Sequence, residues 1–93
     1  MIKPPTKKER VLETLLESPL NHFQAEQIGD HALPSTVATL EKIGVNISRR
    51  RITVPSRFGV AHCCEYWIAP ENAKQAKEVL KTFWTRRGFS LAA

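Results

Sequence analysis

Four arginines, Arg49, Arg50, Arg51 and Arg57, fall within nine consecutive positions. Guanidinium groups at that density suit the recognition of phosphate or carboxylate, because each offers a rigid fork of N–H donors. The chain carries 14 Lys and Arg against 9 Asp and Glu, a net charge of +5. Six of the acidic residues lie before position 42, so the excess of positive charge reads as a basic surface. A second set, Ser35, Thr36, Thr39 and Lys42, has the spacing of one helix face. Its side chains are short and polar apart from one long cation, and such a face can approach base edges and phosphates closely.

Other chemistry has little support. Cys63 and Cys64 are adjacent, and neighbours on a strand point to opposite faces, so a disulfide between them would be strained. His22, His31 and His62 have no partner at metal-ligand spacing. There is no glycine-rich phosphate loop and no nucleophile with a base in recognisable context, and Glu65 and Glu71 stand alone. The expectation is a protein that is not an enzyme and takes no cofactor or metal. Ninety-three residues suffice for one compact domain. No apolar run nears the ~20 residues of a membrane span, and the charged start lacks the apolar stretch of a secretory signal. A cytoplasmic protein with no membrane partner is expected.

The elements that would position these residues follow from period and punctuation. Residues 1–5 read as a loose tail. Thr6 and Glu9 form a capping-box pattern ahead of Val11, Leu12, Leu15 and Leu16, predicting a helix over about 6–17 that Ser18-Pro19 ends. Asn21 and Gln24 repeat the pattern for a short second helix, with Leu20 placed to pack on Ala25 and Gly29 as a positive-φ terminator. Pro34 suits the first turn of a third helix over 34–43, with Val37, Leu40 and Ile43 as its buried stripe. Two alternating segments follow, Val45–Ser48 and Ile52–Val54, in opposite phase, which a bulge or bend near Arg49–Arg51 would reconcile. Pro55–Gly59 reads as a loop, and Cys64, Tyr66 and Ile68 alternate on a second strand. A last helix is expected from Glu71 or Asn72 to Arg87, with Gly88 as its cap and Phe89 and Leu91 in a tail.

The order is three helices, a two-stranded hairpin and a final helix, an α+β, mainly helical arrangement. With Thr6-Lys7-Lys8-Glu9-Arg10-Val11-Leu12, Leu20…Ala25…Gly29, Ser35-Thr36-Val37…Leu40, Gly44-Val45-Asn46-Ile47 and Tyr66-Trp67-Ile68, it resembles the small winged helix-turn-helix proteins of phages and prophages. The resemblance covers residues 6–69, leaving 70–93 to pack on that domain or to dimerise. It implies a double-stranded DNA binder that regulates transcription. Ser35, Thr36, Thr39 and Lys42 would face the major groove. Arg49, Arg50, Arg51 and Arg57 would be wing contacts to phosphates or the minor groove, and His31 in the turn would touch the backbone.

Two alternatives stay open. An excisionase-like architectural factor shares the size, charge and fold. A protein-interaction module or inhibitor, with a host or phage protein as partner, would reuse the fold without DNA, and Phe58 and Trp67 are the residues that favour it. Phe83, Trp84, Phe89 and Leu91 form a candidate homodimer surface, or cover the domain's own core.

Overall fold

The computed structural model of the chain describes residues 5–87. Gly88, Phe89 and Leu91 lie outside them, as does most of the expected tail. The described residues are α+β and mostly helical, with four helices and one three-stranded antiparallel sheet among them.

Helix α1 (Lys7–Glu17) starts where Thr6 accepts from the Glu9 N–H at 3.3 Å, and it stops at Ser18 ahead of Pro19. The next two residues form a strand that the sequence pattern did not reveal. β1 (Leu20–Asn21) pairs with the far end of the hairpin, Leu20 opposite Tyr66 and Asn21 opposite Glu65. The sheet therefore has three strands in the order β1-β3-β2 instead of the expected two. Asn21 also caps α2 (His22–Gln27): its Oδ1 accepts from the Gln24 N–H, and Gln24 Oε1 accepts from the Asn21 N–H, both at 2.9 Å. Gly29 takes the positive φ expected after this helix, +87°.

Helix α3 (Leu33–Ile43) begins one residue earlier than expected, with Pro34 in its first turn. Fully buried Asp30 shapes the approach, its Oδ1 accepting from the Ala32 N–H at 2.9 Å. β2 (Ser48–Ser56) and β3 (Gly59–Trp67) then run in unbroken register from Ser48 opposite Trp67 to Ser56 opposite Gly59. No bulge interrupts Arg49–Arg51, and Pro55 and Ser56 belong to the strand, which leaves Arg57-Phe58 as the whole turn. The two apolar phases need no bulge because they serve different faces. Val45 and Ile47 enter the core before the strand begins, whereas Ile52 and Val54 lie half-buried on the opposite side of the ribbon. A 3-10 turn (Pro70–Asn72) leads into α4 (Ala73–Arg87).

One core joins all of these. Val11, Leu12 and Leu15 of α1, Leu33, Val37 and Leu40 of α3, and Tyr66 of β3 are buried together with Ala76 and Leu80 of α4. Packing of α4 on α1 makes residues 70–87 part of this core, and Phe83 and Trp84 lie half-buried against it. Among the described residues, no helix is long and apolar enough to cross a membrane.

Candidate nucleic-acid interface

The buried stripe of α3 decides what the helix offers to solvent. Leu33, Thr36, Val37 and Leu40 follow the i, i+3, i+4, i+7 spacing of one helix face. Leu33, which the sequence pattern left outside the helix, moves the stripe toward the N-terminus. Two expectations change as a result. Thr36 is only 8% exposed and its hydroxyl lies 3.4 Å from the Ala32 carbonyl oxygen, so it does not stand on the outer face. Ile43, expected in the core, is 45% exposed, while Val45 and Ile47 just beyond the helix are buried.

The remaining arc carries Ser35, Ala38 and Lys42 at its centre, all exposed. Thr39 stands on one shoulder, half-exposed, its hydroxyl donating to the Ser35 carbonyl at 3.0 Å. Glu41 stands on the other shoulder, roughly 160° away across that arc at 3.6 residues per turn. Each shoulder meets cationic side chains. On the Thr39 side, the first turn of α1 closes a cleft lined by Thr6, Lys7, Lys8, Ala32, Ser35, Thr39 and, although mostly buried, Thr36. On the Glu41 side, the carboxylate is ion-paired with Arg49 of β2. Lys7 and Lys8 were missed as candidate site residues. The signal was present, two lysines directly after a helix cap, but only the packing of α1 beside α3 gives them a place.

Strand geometry divides the arginines. Paired residues of an antiparallel ladder share a face, and successive residues alternate. Arg49, Arg51 and Thr53 lie on one face with Tyr66, Cys64 and His62; Arg50 lies on the other with Glu65. The expectation of a single surface holding all three consecutive arginines is therefore corrected: Arg50 points away from Arg49 and Arg51. Its guanidinium donates to Glu65 Oε1 from Nη2 at 2.7 Å and from Nε at 3.0 Å, and it sits 5.6 Å from the centre of the Trp67 ring. Arg49 lies 5.4 Å from the centre of the Tyr66 ring. Its hydrogen bond to Glu41 holds its pKa above the ordinary arginine value, with partial burial opposing. Arg51 and Arg57 are exposed, and neither forms an ion pair among the described residues. His31 is exposed in the turn between α2 and α3.

These ion pairs are weak tethers. Arg49 and Glu41 are 46% and 38% exposed, and pairs of that kind contribute about 0–1 kcal/mol. A polyanion can displace such a contact. The arrangement thus offers a small polar helix face, Lys7 and Lys8 on one side, and Arg49 and Arg51 on the other.

Cys63 and Cys64 are free thiols on opposite faces of β3. Among the described residues, no group of three or more His, Cys, Asp or Glu could hold a metal ion. Comparison with protein-family models, curated proteins and solved structures finds no significant match to the chain.

Proposed function

We propose that the chain is a winged helix-turn-helix domain that binds duplex DNA as a transcriptional regulator of the phage or prophage kind. The observation that carries this reading is the exposed arc of α3, open along its length and flanked by cations from two other elements. On it, Ser35, Ala38, Thr39 and Lys42 enter the major groove, while Lys7, Lys8 and Arg51 hold phosphates on either side. Arg57 reaches further along the duplex from the end of the hairpin.

Affinity comes mainly from phosphates. Each neutralised phosphate adds about −0.9 to the slope of log affinity against log salt. Engagement of Lys7, Lys8, Arg51 and Arg57 gives a slope of about −3 to −4. The outer face of α3 has no Arg for guanine and no Asn or Gln for adenine. Direct readout is limited to Lys42, which can donate to guanine O6 or N7, to hydroxyl contacts and to the thymine methyl groups that Ala38 and Thr39 can touch.

Fluorescence anisotropy on labelled duplex, across a range of salt concentrations, tests this. Lys7→Ala, Arg51→Ala and Lys8→Ala should each weaken binding to every duplex and reduce the slope by about 1. Binding that ignores salt, or that survives all three substitutions together, overturns the proposal.

A second reading has its own support. Phe23 and Gln24 of α2 form with Val54, Pro55 and Arg57 a cleft of about 480 Å³, and Phe23 is half-exposed there. An apolar anchor in such a cleft suits a protein partner better than DNA. Phe23→Ala separates the two, since it leaves duplex binding unchanged if α3 is the contact surface.

A further inference from the structure

Phe58 is the most exposed large apolar side chain in the described protein, at 93%, and Val60 beside it is 65% exposed. Leaving an aromatic ring in water at a turn has no structural return, because Phe58 contributes nothing to the core. Its position is specific. β2 and β3 each run nine residues, about 30 Å at the usual rise. β1 pairs with β3 only at Tyr66 and Glu65. From Gly59 to Cys64, β3 pairs with β2 alone, so this stretch is a two-stranded ribbon ending in Arg57-Phe58.

The turn presents the ring at the very end. Neither Arg57 nor Phe58 has a positive φ; Gly59, at +125°, supplies the one that closes the hairpin. A Cβ placed at Gly59 would meet nothing within 4 Å, so the space beside the turn is open. The Arg57 guanidinium lies 5.8 Å from the centre of the Phe58 ring. A cation and a ring thus lead the ribbon together.

We infer that Phe58 is a wedge that inserts between base pairs of the bound duplex and kinks it, with Arg57 held against the adjacent phosphates. This rests on the DNA-binding reading above and adds to it a deformation of the DNA. A minor groove about 6 Å wide admits a side chain but not a ribbon, so the turn residues are what enters. Inserted apolar side chains unstack a base step and bend the duplex, and burial of the ring offsets much of the unstacking. The step entered should be one that unstacks readily, a pyrimidine–purine step such as TA or CA. A protein partner would use Phe58 with Val60 and the adjoining Phe23 cleft, but the guanidinium held against the ring at the tip favours a polyanion.

The test uses the full chain and short duplexes that it retains from a random pool, labelled at both ends for energy transfer and probed with permanganate, which oxidises unstacked thymines. The parent should shorten the end-to-end distance and make one step permanganate-reactive. Phe58→Ala should restore a straight duplex and abolish that reactivity, with affinity reduced less than about tenfold and the salt slope unchanged. Phe58→Trp should keep the bend. Because Phe58 has no core contact, its removal should leave the thermal unfolding midpoint in place, and this is checked alongside.

If the parent retains duplexes but leaves them straight, the wedge is wrong and the DNA-binding proposal stands. If Phe58→Ala bends DNA as the parent does, the wedge is again wrong, the outcome expected of an aromatic kept for a protein partner. If the parent retains no duplex at low salt, the binding proposal itself fails and takes the wedge with it.

Discussion

Glu41 and Arg49 show how single side chains join two elements whose sequence patterns are independent. The pair spans α3 and β2 at the surface, and each partner keeps over a third of its side chain in water. Its worth to stability is therefore small, under about 1 kcal/mol. Its effect on DNA binding has a definite sign, because Glu41 competes with phosphate for Arg49. Glu41→Gln should tighten binding to all duplexes by about three- to tenfold at low salt and shift the unfolding midpoint little. Anisotropy and thermal melts measure the two effects separately. A buried neighbour behaves differently. The Tyr66 hydroxyl titrates above its usual value, chiefly because burial disfavours the phenolate, with Cys64 adding to the rise and Arg49 opposing it. A raised folded pKa for an acid means that the unfolded chain loses its proton first. The associated stability is present below the unfolded value and is lost as pH climbs through about 10 and beyond. Urea midpoints for the parent and Tyr66→Phe, compared at neutral and alkaline pH, check this: the alkaline decline should be shallower in the variant.

At the scale of elements, local signals were the legible ones. Thr6, Asn21-Gln24 and Pro34 each mark a helix start through bonds spanning three or four residues, and these starts lie within one residue of where the pattern put them. What was hidden depends on partners distant in sequence. β1 is two residues long and exists only because β3 returns beside it. Thr36 is buried on the same helix face as Leu33, one turn after the bend that Asp30 caps at Ala32. The separation of Arg50 from Arg49 and Arg51 follows from an unbroken ladder where a bulge or bend was expected. That last correction is testable. Arg51→Ala should weaken duplex binding and flatten its salt slope, whereas Arg50→Ala should change both much less, since Arg50 is engaged by Glu65 and Trp67 on the other face. Equal losses from both substitutions would mean that both faces of the ribbon meet the polyanion. The turn of the same hairpin depends on Gly59. Gly59→Ala meets no steric contact but must hold φ near +125°, and the strain should cost about 1 kcal/mol or more. Hydrogen exchange would show it as faster opening of the amides nearest Arg57 and Phe58.

For the whole molecule, the question is whether the last helix is an appendage or part of the fold on which the interface depends. Ala76 and Leu80 share a core with Val11, Leu12 and Leu15, and α4 packs directly on α1, the helix that brings Lys7 and Lys8 to α3. Small domains have only about 5–15 kcal/mol of total stability, and truncating a buried leucine to alanine costs about 2–5 kcal/mol. Leu80→Ala should therefore lower the unfolding midpoint by about 8–40 °C, at roughly 4–8 °C per kcal/mol for a chain of this size. Duplex binding should fall with it near the new midpoint and return on cooling, because α4 acts on the interface only through the core. Lys42→Ala gives the opposite pattern, weaker binding at every temperature with the midpoint unchanged. Measuring both variants by thermal melt and by anisotropy over a range of temperatures distinguishes support from contact. Should Leu80→Ala leave the melt unaltered, residues 70–87 would be peripheral and the placement of Lys7 and Lys8 would need another cause.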